Sequence, residues 1–149
     1  MQIVIRKMKW EDIPLKVKWI NDEQNNQFLH YDLPLEQKKT EEWFEKIKDR
    51  TDRFDGIIEV DGEPVGLIGI LGIKGKQGEY YITMGEPVYK GKGIATEATR
   101  QLLHYAFTKL GLDQVYLYTE CENLPAQRLF EKSGFQKKGI EYGKVQNRG

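Results

Sequence analysis

Along this chain apolar residues first alternate, then recur every three to four positions, then alternate again, and those changes of period predict its elements. Ile3, Val4 and Ile5 form a β-branched run between polar residues, so residues 2 to 7 read as a strand. Glu11 or Asp12 can open a helix that carries Pro14 in its first turn, where a missing amide hydrogen costs little. Leu15 and Trp19 share one face of it at four-residue spacing. The polar run from Asn21 to Asn26 reads as a loop. A second helix is expected from near Leu35 to Arg50, turning Trp43, Phe44 and Ile47 inward. Ile57 to Val60 and Pro64 to Ile73 then flank Asp61-Gly62, a two-residue hairpin signal.

After a glycine-containing turn (Gly72 to Gly78), Tyr80, Ile82 and Met84 alternate with Tyr81 and Thr83 in a strand beginning at Glu79. Pro87 ends it, having no amide hydrogen for a ladder. From Ile94 the positions Ala95, Ala98, Leu102, Ala106 and Leu110 recur at helical spacing, with Gly111 as the stop. Val115, Leu117 and Thr119 alternate with Tyr116 and Tyr118 as a further strand. Leu124 to Lys132 is a short helix, and Gly134-Phe135 leads into a last extended stretch.

The order β, α, α, β, β, β, α, β, α, β predicts one α/β (α+β) domain over residues 1–149, a mixed sheet with helices on both faces. The helix between the Glu79 and Val115 strands makes them parallel neighbours through a right-handed crossover. Such neighbours can splay at their ends and leave a slot for a ligand.

Composition narrows the function. Lys and Arg total 23, Asp and Glu 23, and the pI is about 6.8, without the basic excess of nucleic-acid or membrane-surface proteins. No apolar run approaches the roughly 20 residues of a membrane span. The first residues are charged and lack a signal-peptide apolar core. Cys121 is the single cysteine, which excludes an internal disulfide and fits a reducing compartment. A cytoplasmic location is the expectation. His30 and His104 are far apart, so no metal-ligand spacing is present.

Two stretches carry chemistry. In EYYITMGEPVYKGKGIATEA (Glu79 to Ala98), a strand runs through Gly91-Lys92-Gly93 into a helix N-terminus. Its free amides and dipole favour an anion, the glycines allow close approach, and Lys90 and Lys92 add charge. Alone, it reads more readily as a glycine turn before an ordinary surface helix. In NLPAQRLFEKSGF (Asn123 to Phe135), Asn123 can cap a helix or reach a ligand, and Gly134 ends that helix.

Together, these stretches resemble the GNAT family of acetyl-coenzyme A-dependent N-acetyltransferases, over roughly residues 2 to 140. The resemblance implies the GNAT fold, acetyl-CoA as co-substrate and an amine acceptor. It places the pyrophosphate on Lys90, Gly91, Lys92, Gly93, Ile94 and Ala95, with Thr96 contributing its amide or hydroxyl. Pantetheine would enter between the splayed strands, touching Asn123 and the Phe130 region. A backbone amide near Met84 or Gly85 would face the developing oxyanion. Glu79 occupies the place of a carboxylate that many relatives use as base, directly or through water; the alternative is a solvated glutamate at the strand start.

The chain also departs from the family. Phe130 replaces a tyrosine that protonates the leaving thiolate, so the thiolate leaves unaided or is protonated by Tyr118 or water. Lys90 stands where arginine or glutamine is usual, keeping charge without the planar fork. The end, EYGKVQNRG, lacks the expected closing apolar strand. The N-terminal third, with its Trp-x-Asn-Asp segment (Trp19 to Asp22) and Trp43-Phe44, is similar to the branch of ribosomal-protein and amino-sugar acetyltransferases, which also holds polyamine and aminoglycoside enzymes. An amino sugar is the first expectation for the acceptor, a protein N-terminus the second, and a non-catalytic CoA-binding module the third. Asp22, Glu23 and Asp32 could attract a cationic acceptor or simply be solvated. Relatives are often dimers, so a homodimer is among the expected partners.

Overall fold

The computed structural model describes residues 1–29 and 31–136. Strands β1 (Ile3–Lys7), β2 (Phe54–Val60), β3 (Glu63–Lys74), β4 (Gln77–Met84) and β5 (Gln114–Tyr116) form one sheet in the order β1-β2-β3-β4-β5. The first three pairings are antiparallel and the β4–β5 pairing is parallel, so the sheet is mixed as expected. Helices α1 (Ile13–Asn21), α2 (Glu23–Asn26) and α3 (Gln37–Ile47) precede β2, α4 (Ile94–Thr108) joins β4 to β5, and α5 (Leu124–Lys132) follows β5.

The pleat divides the strand side chains between two cores. Ile58, Ile68, Ile70 and Tyr80 pack with Ile94, Ala98, Leu102 and Ala106 of α4. Ile57, Leu67 and the partly buried Tyr81 face Ile13, Trp19 and Ile20 of α1 and Phe44 and Ile47 of α3. Helices therefore cover both faces of the sheet, and each hydrophobic stripe has a sheet face to bury against.

Several boundaries differ from the sequence reading. β3 runs on to Lys74 and β4 starts at Gln77, which narrows the turn expected over Gly72 to Gly78, and α4 ends at Thr108, before Leu110. Four further shifts have a local reason. The expected loop from Asn21 to Asn26 is instead the end of α1 and one helical turn, because the Asp22 carboxylate accepts from the Gln24 amide at 2.9 Å and caps α2. Helix α3 starts at Gln37, not Leu35, since both backbone polar groups of Leu35 are held by the Asn21 side chain at 2.7 and 3.1 Å. Strand β2 begins at Phe54: the polar Asp55 is carried inside by Arg53 and Tyr81. Strand β5 ends at Tyr116 rather than Thr119 because the parallel ladder stops where the two strands part.

The extended stretch expected near the chain end and the absence of a closing strand fall on residues 137–149, outside the described residues, as does His30. Among the described residues, no helix is long and apolar enough to cross a membrane.

Candidate functional site

A fork in the sheet defines the site. β4 and β5 pair over three steps, Gln77↔Gln114, Gly78↔Val115 and Glu79↔Tyr116, and no further. Beyond Glu79, the β5-facing edge of β4 runs unpaired to Met84 among the described residues. This is the splay expected of parallel neighbours, and it leaves backbone groups along the slot that an extended ligand can pair with.

Strand alternation says which amides line the slot. The Gly85 amide donates to the Val65 carbonyl at 2.7 Å, on the β3 side. The amides one residue earlier and at every second position before it, Met84, Ile82 and Tyr80, turn to the opposite edge. Of the two residues expected near the oxyanion, Met84 keeps its amide toward the slot and Gly85 spends its own on β3. Gly85 has a different duty: a Cβ there would sit 2.3 Å from the ring of Trp19, which is fully buried. The glycine lets α1 lie against the end of β4, and Trp19 is the core plug.

The side chains sort by face in the same way. Glu79, Tyr81 and Thr83 project toward α1 and α3; Tyr80, Ile82 and Met84 project toward α4 and α5. Glu79 is 5% exposed and is the last β4 residue of the parallel ladder, so its carboxylate stands at the base of the fork. Tyr80 ties the other side together. Its hydroxyl donates at 2.6 Å to Thr99 Oγ1, which donates in turn to the Ala95 carbonyl of α4 at 2.6 Å. The ring of Phe130 meets that of Tyr80 edge-on at 5.9 Å, and Phe135 completes the cluster. Phe130 therefore closes the slot's apolar wall and offers no proton. Tyr80 cannot replace the lost hydroxyl, because its own proton is committed to Thr99 and burial pushes its ionisation well above the ordinary phenol value.

The glycine turn is built to receive an anion. Gly91 and Gly93 both have φ +77°, a region that side-chain-bearing residues avoid, and nothing lies within 4 Å of a Cβ at either. Gly93 caps α4 with no side chain to offer, and the first helical bond runs from Glu97 back to it. Among the described residues, the amides of Ile94, Ala95 and Thr96 find no acceptor, and they point out of the helix N-terminus. Lys90 and Lys92 stand exposed beside them. This donor set fits a diphosphate: bare amides at a positive dipole end, room for close approach and two exposed cations. Asn123 caps α5, its Oδ1 accepting from the Ala126 amide at 3.3 Å, so its first role is structural. Tyr118 lies just past β5, 40% exposed, its ring 5.9 Å from that of Tyr116.

The face opposite α4 holds a polar cluster that the sequence reading missed. Asp55 accepts from Nε and Nη2 of Arg53 at 2.7 and 2.9 Å and from the Tyr81 hydroxyl at 2.6 Å. Burial, then the charge of Asp55, pushes Tyr81 well above its ordinary value. Lys16, 5% exposed, lays its ammonium 3.5 Å from the centre of the Trp43 ring and 5.6 Å from that of Tyr31. Burial pushes Lys16 down to about 7, with Asp55 opposing and Arg53 adding to the shift. Trp43 and Tyr31 are thus occupied by the protein's own cation and by core packing. The Trp-x-Asn-Asp segment is likewise structural: Trp19 plugs, Asn21 clips Leu35 and Asp22 caps α2.

Comparison with known proteins agrees with this geometry. The family described as acetyltransferase (GNAT) domain matches residues 2–136. An SPbeta prophage-derived uncharacterized N-acetyltransferase, YokL of Bacillus subtilis (strain 168), is 33% identical over 142 residues, spanning 92% of this chain and 77% of that protein. Spermidine N(1)-acetyltransferase of Escherichia coli (strain K12) is 36% identical over 85 residues, 56% of this chain and 45% of that protein. Among solved structures, spermidine N-acetyltransferase from Vibrio cholerae in complex with CoA and spermine superposes with a TM-score of 0.88, covering 99% of this chain and 89% of that one at 24% identity.

Proposed function

The chain belongs to the GNAT family of acetyl-CoA-dependent N-acetyltransferases, and on that premise we propose that it acetylates a primary amine of a small polycation of the polyamine class. The observation that carries this reading is the charge of the acceptor-side segment. Residues 22–36 contain Asp22, Glu23, Asp32 and Glu36 and no Lys or Arg. Asp22 is engaged as a cap and Glu36 with Lys39 at 2.9 Å, while Glu23 and Asp32 are exposed. Such a single-sign rim concentrates a cationic acceptor near the slot. The partial likeness to a spermidine acetyltransferase supports the same class. The amino-sugar and protein N-terminus expectations rested on Trp19 to Asp22 and on Trp43-Phe44. Those residues serve packing, clipping and capping, so they no longer argue for either acceptor.

Acyl transfer asks three things of this chain. The first is a deprotonated amine: an alkylammonium has a pKa near 10.4, so roughly one molecule in 2,500 is neutral at pH 7. Glu79 takes that proton as the nitrogen approaches from the α1/α3 face. The second is a donor for the carbonyl oxygen as negative charge grows on it. Five residues of strand separate Met84 from Glu79, about 16 Å, and three separate Ile82 from it, about 10 Å. With the acyl oxygen held at the Met84 amide, the attacking amine reaches Glu79 only through a chain of ordered waters; with it held at the Ile82 amide that chain is shorter. The third is an exit for sulfur. The C–N bond forms, the C–S bond breaks, and the thiolate takes a proton from water or Tyr118, since Phe130 has none to give. Lys90 to Thr96 hold the diphosphate, and Phe130 with Asn123 borders the arm that links it to the thioester.

The test is a thiol-release assay with spermidine, a nucleotide-linked amino sugar and an N-terminal peptide. We expect kcat/KM for spermidine to exceed both others at least tenfold. Faster release with the sugar or the peptide overturns the acceptor class. Acetyl-CoA binding with no release on any amine favours the non-catalytic module.

A further inference from the structure

Asn25 joins three parts of the site through one side chain. It sits in the α2 turn on the acceptor-side segment. Its Nδ2 donates to the carbonyl of Trp19 at the end of α1 (3.1 Å) and to the carbonyl of Gly85 just past β4 (3.0 Å). Its Oδ1 accepts from Nζ of Lys90, the residue that opens the phosphate turn, at 3.1 Å. Both amide hydrogens and the carbonyl oxygen of one half-buried side chain are thus spent on α1, the mouth of the slot and the phosphate turn.

Resting on the reading above, we infer that Asn25 is a positioning residue that couples diphosphate binding at the Lys90–Thr96 turn to ordering of the acceptor-side segment, residues 22–29 and 31–36. Lys90 is exposed and its long side chain is costly to hold still. Asn25 holds it beside the turn before a ligand arrives. An ammonium has three donors, so Lys90 can keep Asn25 while giving its remaining hydrogens to a phosphate, a stronger charge-assisted partner. Once phosphate immobilises Lys90, the ammonium immobilises Asn25, and with it the α2 turn and the segment clipped at its far end by Asn21. The coupling is therefore positive, and by linkage an acceptor that orders the segment tightens CoA by the same factor. Asn25 touches no reacting atom; it acts through Lys90 and Gly85.

Hydrogen exchange of residues 22–29 and 31–36, measured with and without CoA, tests this without needing to know the acceptor. In the wild type, saturating CoA is expected to slow exchange there about fivefold or more, the lower end of ordinary coupling factors. Asn25→Ala and Lys90→Met should each bind CoA, more weakly for Lys90→Met, yet lose the slowing at saturation. The double variant should lose no more than either single one. Asn25→Asp keeps the size and the Lys90 contact but cannot donate to Gly85, so it too should lose the slowing, and it serves if Asn25→Ala folds poorly. CoA binding with unchanged exchange in the wild type overturns the coupling and leaves the acetyltransferase reading intact, as does persistence of the slowing in Lys90→Met. Failure of CoA to bind the wild type overturns both.

Discussion

Gly93 offers a substitution whose stability and binding effects separate cleanly. Its φ of +77° and ψ of 5° are left-handed, and a Cβ there would meet nothing within 4 Å. Gly93→Ala therefore bears a conformational cost alone, about 1–2 kcal/mol. In a chain of this size that corresponds to a fall in Tm of roughly 2–8 °C. Asn tolerates the left-handed region better than Ala, so Gly93→Asn should cost less. Gly93→Asp has nearly the same shape as Gly93→Asn but sets a carboxylate among the bare amides of Ile94 to Thr96. A negative charge some 4–5 Å from a diphosphate in a partly solvated turn costs about 2–3 kcal/mol, or roughly 30- to 150-fold in affinity. Calorimetric titration with acetyl-CoA should give the order wild type, Asn, Asp, with most of the loss between Asn and Asp. Because the Asp penalty is electrostatic, it should shrink as salt rises. Equal affinities for the Asn and Asp variants would refute the assignment of the diphosphate to this turn, since charge at its centre would then be irrelevant.

Further expectations follow from other parts of the site. Glu79→Gln should lower kcat about 100-fold near pH 7 and leave acetyl-CoA affinity unchanged. The deficit should narrow at alkaline pH, where the amine deprotonates unaided, and a pH-independent rate equal to wild type would remove Glu79 from the base role. Gly85→Ala should overpack Trp19, whose ring lies 2.3 Å from the added Cβ. A loss of about 3 kcal/mol is expected, read as a Tm drop of roughly 6–12 °C, and an unchanged Tm would contradict the plug. Lys16 has its ionisation depressed from 10.5 to about 7 in the folded state. The unfolded chain thus binds more protons between those values, and stability should rise with pH across about 7 to 10, by at most ~1.4 kcal/mol per pH unit from this group. Lys16→Met should flatten that rise in urea titrations; an unaltered slope would assign it to other groups.

The architecture was legible wherever the pattern is local. Alternation in β4 and the helical period from Ile94 need only neighbouring residues, and Gly91 and Gly93 announce a left-handed turn because few other residues adopt one cheaply. The two motifs on either side of β5 were enough to suggest the family. What stayed hidden depends on partners far along the chain. Asn21 closes on Leu35, Asn25 reaches Gly85 and Lys90, and Arg53, Asp55 and Tyr81 neutralise one another inside the fold. A polar residue reads as solvated until its partner is known, and no periodicity reveals a partner 60 residues away. The same blindness made Trp19 to Asp22 look like an acceptor signature: its three informative side chains are a plug, a clip and a cap. A buried tryptophan plug was the simpler reading of Trp19 from the sequence, but its seat on Gly85, a glycine directly after a strand of bulky side chains, was not legible.

The proposed reaction is acetyl transfer from acetyl-CoA to a polyamine nitrogen at the fork between β4 and β5. The most direct measurement mixes the purified chain with acetyl-CoA and spermidine and follows free thiol, with mass analysis of the amine. Stoichiometric release of thiol and formation of acetylated spermidine, both lost in Gly93→Asp at low acetyl-CoA and restored at high, is the predicted result. Thiol release without an acetylated amine, or acetylation undiminished in Gly93→Asp at low acetyl-CoA, would contradict it.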